Sequence, residues 1–118
     1  MSDSFDKTNA IILQPGDATV PYTFTFAACT SATANDGSIP FGSLISTYVV
    51  KAFDESGADV TAEMVVSDSA TTLVVTVNLK YPATPGAGRY SIEIVLTLDT
   101  AAVMEFDFTR IYAKDIAA

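Results

Sequence analysis

Residues 90–98 carry the most constraining pattern in the chain. Tyr90, Ile92, Ile94, Leu96 and Leu98 fall on every second position, with Ser91, Glu93 and Thr97 between them and Asp99 following. Val95 is the one apolar residue on the polar side. Period-two alternation places successive side chains on opposite faces of an extended chain. On a helix, residues two apart point away from each other, so the same run would build no buried stripe. The pattern therefore demands a β-strand with one face on a core and the other towards water. Five such side chains, at roughly 1.5–3 kcal/mol each, rival the net stability of a small domain before chain ordering offsets most of the gain.

The same logic extends along the chain. Ala10-Ile11-Ile12-Leu13 is a short apolar run stopped by Gln14-Pro15-Gly16-Asp17, which predicts an edge strand and a turn. In 20–27, Tyr22, Phe24 and Phe26 point one way and Thr23 and Thr25 the other. Residues 44–53 predict a strand whose phase is unreadable, because both faces carry apolar residues. Asp54-Glu55-Ser56-Gly57 turns the chain, with Gly57 suited to a positive φ. A further strand is expected over 60–67, pairing with the strand before it or the one after. A turn is expected at Asp68-Ser69-Ala70, then a strand over 71–80 in which Leu73, Val75, Val77 and Leu79 share a face. Residues 81–88 are too rich in Pro and Gly to join a ladder. After a turn at Asp99-Thr100-Ala101, Met104, Phe106 and Phe108 alternate with Glu105, Asp107 and Thr109. The phase falters near Arg110-Ile111-Tyr112, which predicts a bulge or the strand's end.

About seven short strands with no helix-period segment between them predict an all-β sandwich of antiparallel strands in two sheets. The expected organisation is an arm at 1–8, a single domain at 9–114 and a tail at 115–118. The longest irregular stretch is 28–43, rich in Ala, Ser, Thr and Gly, with Pro40 breaking any ladder.

Composition excludes several functions. The net charge is −8, from 14 acidic and 6 basic residues, which repels a phosphate backbone. No histidine is present, so the commonest general base and neutral metal ligand is missing, and Ser-His-Asp and Cys-His catalysis are ruled out within the chain. One cysteine forms neither an internal bridge nor a Cys/His zinc site. No apolar run is long enough to span a membrane. The leading Met1-Ser2-Asp3-Ser4-Phe5-Asp6-Lys7 lacks the basic-then-apolar order of a secretory signal. Unless a signal precedes this numbering, the expectation is a cytoplasmic, non-enzymatic chain with no cofactor, nucleic acid or membrane partner.

Pro85-Gly86-Ala87-Gly88-Arg89-Tyr90-Ser91-Ile92 resembles the corner before strand F of immunoglobulin-like domains. The resemblance implies that Tyr90 ties that corner through its hydroxyl and that Ile92 stands where antibody domains place a cysteine. The absence of that cysteine, and of any tryptophan, sets the chain apart from the antibody type. Ser56-Gly57-Ala58-Asp59-Val60-Thr61, the Pro-Gly-Ala-Gly-Arg-Tyr corner and the final Glu105-Phe106-Asp107-Phe108-Thr109 together resemble accessory modules of tailed-bacteriophage or prophage virions. That resemblance implies a structural protein of a tail, neck, baseplate or capsid. It would be assembled in the cytoplasm, reside in the virion, and contact other virion proteins or further copies of itself. The alternative is a carbohydrate- or cell-surface-binding module on the same fold, using Tyr48, Tyr81 or Tyr112.

The partner-binding candidates are Ile39, Pro40 and Phe41. Exposed, Ile39 and Phe41 form an apolar tip around Pro40; folded back, they cap one end of the sandwich. Open strand edges are further contact candidates. Asp54, Glu55 and Asp59 surround a turn, and loop carboxylates can take calcium, but their spacing is not that of an EF-hand, and a solvated hairpin accounts for them. Glu93 and Asp107 are expected to face each other with Glu105 nearby, as solvated charge rather than an acid–base pair. Cys29 has no basic neighbour in sequence to activate it, so a small packed thiol is expected.

Overall fold

A computed structural model describes residues 11–15 and 19–114. The expected arm and tail lie outside the described residues. Among the described residues, seven strands and one helical turn follow in order: β1 (Ile11–Leu13), β2 (Val20–Thr25), β3 (Ile45–Asp54), α1 (Thr61–Met64), β4 (Val65–Thr71), β5 (Val74–Leu79), β6 (Gly88–Leu98) and β7 (Val103–Ala113). They form two sheets, one ordered β1-β7-β6-β3 and the other β2-β5-β4.

The alternation that defined 90–98 becomes the centre of the larger sheet. Tyr90, Ile92, Ile94, Leu96 and Leu98 are all buried, and β6 pairs with β3 on one side and β7 on the other. Opposite residues share a face, so Ile94 brings Val50 and Phe106 to the core side, and Ile92 brings Ala52 and Phe108. The smaller sheet answers with Phe24, Val75, Val77 and Leu79, and with Phe26 just past β2, all fully buried. Rings close the interface: Phe26 lies 4.8 Å from Phe106, and Phe24 meets Phe108 edge-on at 6.1 Å.

This is the immunoglobulin-like sandwich, with the central F and G strands at β6 and β7. One pairing departs from the antiparallel expectation. β1 runs parallel to β7, matching Ile11 to Ile111 and Leu13 to Ala113. The falter after Phe108 is a bulge: Tyr90 faces Ile111 and Ile92 faces Phe108, so Thr109 and Arg110 together oppose Ser91. Both are exposed, and the bulge restores Ile111 to the core.

The segment after β3 corrects the sequence expectation. Residues 61–64 form a helical turn, and the strand begins only at Val65. The Asp59 carboxylate accepts from the Thr61 amide and hydroxyl at 2.9 and 2.7 Å. The same hydroxyl accepts from the Ala52 amide, and the Val60 amide donates to the Ala52 carbonyl. These bonds fold the chain against β3 before it can extend. The strand then pairs with β5, not β3. The turn expected at 68–70 lies instead at Thr72-Leu73, where Thr72 adopts φ 47°. Asp68 and Ser69 are turn-favouring residues that the sheet holds extended.

Candidate functional site

Residues 28–43 leave β2 and return to β3 across one end of the sandwich, and backbone bonds give them a fixed course. The Ser38 amide donates to the Ala27 carbonyl at 2.7 Å, and the Cys29 amide to the Ile39 carbonyl at 2.9 Å. Gly37 makes this closure possible. A Cβ there would fall 2.5 Å from the Ala27 oxygen and 2.6 Å from the Cys29 nitrogen. Beyond it, the Asp36 carboxylate accepts from the Thr30 amide at 3.0 Å and from its hydroxyl at 2.7 Å, closing the finger 31–35. Those bonds hold the Asp36 carboxyl below the usual aspartate range.

The three candidates within this stretch separate. Ile39 is 1% exposed and belongs to the core, so it is removed from the contact surface. Its amide and carbonyl are both used in the closure around Ala27 and Cys29, which turns its side chain inwards. Pro40 is exposed, and Phe41 is 56% exposed. Leu44 and Val103, at 49% and 64%, are also exposed. Leu44 is fixed to the turn between β6 and β7: its amide donates to the Asp99 carboxylate, and its carbonyl accepts from the Asp99 amide. Val103 begins β7 beyond that turn. Phe41 and Met104 line one open groove of about 850 Å³ with Ala27, Cys29 and Pro40. Large apolar side chains are thus presented at an end whose backbone is fixed by hydrogen bonds.

Charge is scarce here. Residues 27–50 carry one charged side chain, Asp36, in a chain that is 17% charged. Leu44, Met104 and Asp99 had no place in the sequence reading of this end. The scarcity of charge between 27 and 50 marks Leu44 alone; Met104 and Asp99 reach this end only through the fold.

The other candidates lie elsewhere. Tyr90 is buried at the opposite end, and its hydroxyl donates to the Gly86 carbonyl four residues upstream. Burial, with Asp54, Tyr81 and Glu55 nearby, raises the phenol above its ordinary range. Asp54 accepts from the Ser56 hydroxyl and the Ser56 and Ala58 amides. Asp59 is committed to Thr61, so both carboxylates serve as local caps and titrate below the usual range. Among the described residues, no group of three or more Cys, Asp or Glu is placed to hold a metal ion.

Glu93 lies opposite Asp107 on the outer face of the larger sheet, with Lys51 opposite it on the other side. A hydrogen bond shared with Glu105, then partial desolvation, raises the Glu93 carboxyl above the usual range. Cys29 is half-buried beside the groove. The three tyrosines considered for glycan contact do not share a face. Tyr48 points to the core side of β3 and donates to Asp68, Tyr112 stands opposite Arg89 on β7 with Lys114 over its ring, and Tyr81 lies near Gly86.

No protein-family model, curated protein or solved structure matches this chain. The arrangement is that of an immunoglobulin-like β-sandwich with an apolar, nearly uncharged loop end.

Proposed function

We propose that this domain is a protein-interaction module that docks through the end of the sandwich formed by 28–44 and the turn at 99–102, with Phe41 at the centre of the contact. The observation that carries this reading is the pairing of exposed apolar side chains with a nearly uncharged, hydrogen-bonded loop. Depletion of charge and an aromatic anchor mark the centres of protein interfaces, and this loop end is depleted of charge within a chain of net charge −8. Asp36 and Asp99 are engaged by hydrogen bonds within the loop end, so a partner meets a surface whose polar groups are largely satisfied. A fixed loop also loses little conformational freedom on binding.

The setting we propose is a tailed-phage or prophage particle. Its support is the resemblance of three short sequence stretches, at 56–61, 85–90 and 105–109. In that setting the chain is assembled in the cytoplasm, becomes part of the virion, and contacts other virion proteins. Affinity purification of tagged wild type and Phe41→Ala from a lysate producing such particles tests both parts. The expected result is one virion protein bound by wild type, lost with Phe41→Ala, and bound again when both are purified. Retention of that protein by Phe41→Ala overturns the site. Specific binding of a glycan, lost on changing Tyr48, Tyr81 or Tyr112, favours the carbohydrate alternative.

A further inference from the structure

The flank opposite the β1 side joins two sheet edges. Among the described residues, β3 ends the larger sheet and β4 ends the smaller one. Every residue of β4 from Val66 to Thr71 is exposed, so neither of its faces is covered by the opposing sheet. A strand edge with both faces accessible is a template for another chain.

Asp68 interrupts that template. It lies opposite Val77, a fully buried residue, and therefore on the inner face of β4. Tyr48 lies opposite the buried Leu96, on the inner face of β3. The Tyr48 hydroxyl donates to Asp68 Oδ1 at 2.7 Å across the gap between the sheets. That bond, and then desolvation, raises the Tyr48 phenol. A strand added beside β4 would have to pack its inward side chains next to a carboxylate.

Other features of the flank work in the same direction. β3 is irregular between Ile45 and Thr47, and β4 between Val65 and Ser67. Bulges of this kind twist an edge out of register with an incoming strand. At the far end of β3, Thr61 Oγ1 and the Val60 amide already occupy both polar groups of Ala52. Lys51 stands on the outer face, opposite Glu93.

We infer that the Tyr48–Asp68 pair is an edge guard: it holds a charge inside the open flank and so prevents β4 from pairing with β4 of a second copy. The chain's net charge of −8 opposes self-association elsewhere on its surface. The seven residues of β4 contain no other charge and no proline. Asp68 is thus the charge that stands between this edge and a second copy.

The test is Asp68→Val, chosen because valine favours a strand and carries no charge. Light scattering coupled to size exclusion, over a concentration series, should show at least a doubling of mass in this variant, with the cooperative melt retained. β4 amides should gain hydrogen-exchange protection in the assembled species. A lysine on the outer face of the same strand, in Ser69→Lys/Asp68→Val, should return the mass to the wild-type value. Should Asp68→Val lose its cooperative melt, Asp68→Ser carries the same expectation of a raised mass. A mass equal to wild type in a folded variant, or an assembly the lysine leaves untouched, overturns the proposal. None of these readouts depends on binding at the 28–44 end.

Discussion

Ile39 and Phe41 stand two residues apart and face opposite environments: Ile39 is 1% exposed and Phe41 is 56% exposed. Pro40 between them is exposed, and the backbone on the Ile39 side is fastened to Ala27 and Cys29. One residue anchors the loop end to the core, and the other is presented by it. Ile39→Ala should therefore cost about 2–5 kcal/mol, as large-to-small changes in a packed core do. Phe41→Ala should stay within about 0.5 kcal/mol of wild type, as an exposed substitution. Urea unfolding of the two variants checks the pair. Equal losses would contradict the division of roles.

Gly37→Ala should destabilise the fold by about 1–3 kcal/mol, the usual range for overpacking. The added Cβ would meet backbone atoms of Ala27, Ala28 and Cys29 at 2.5–2.6 Å, and backbone does not yield as a flexible side chain does. Differential scanning calorimetry reads the effect. A melting temperature equal to wild type would mean that the loop takes a different course.

Tyr90→Phe removes one hydroxyl and leaves the ring. The Gly86 carbonyl then loses its partner, at a cost of about 1 kcal/mol. The denaturation midpoint should fall with the slope unchanged. An unchanged midpoint would show that the hydroxyl bond contributes nothing net to the corner.

The titrating groups pull stability in two directions. Asp36, Asp54 and Asp59 are lowered by their hydrogen bonds, so their stabilisation is present above the ordinary aspartate pKa and is lost as pH falls through their folded values. Glu93 is raised, chiefly by its bond with Glu105, so its stabilisation is present below the ordinary glutamate pKa and is lost as pH rises through the folded value. Glu93→Gln should therefore raise the melting temperature at neutral pH and do little well below pH 4. A rise of equal size at both ends would contradict a proton shared between Glu93 and Glu105.

Most of the fold was legible wherever one face is wet and the other buried. Residues 90–98 and 104–108 could be read because Glu93, Thr97, Glu105 and Asp107 mark the solvent side. Even the bulge at Thr109-Arg110 announced itself as a lost phase. β3 could not be phased, because Val49 is apolar yet half exposed, while Val50 next to it is buried. Residues 61–64 were missed because one helical turn is too short to show a period, and its cause is a set of bonds between Asp59, Thr61 and Ala52. The turn at Thr72-Leu73 carries neither Gly, Asn nor Pro to announce it. At the candidate site, the sequence marks 28–43 as irregular but does not show which way Ile39 turns. That depends on closure against Ala27 and Cys29, contacts that only the fold brings together.

The central claim is that the end built from 28–44 is where this domain meets its partner. Site-specific photo-crosslinking tests it most directly, with p-benzoylphenylalanine placed at position 41 in one variant and at position 69, on the outer face of β4, in another. In cells producing the assembled particle, position 41 should yield one discrete adduct with a second protein and position 69 should yield none. Adducts at 69 but not at 41, or no adduct at 41 in a protein that assembles normally, would contradict the account.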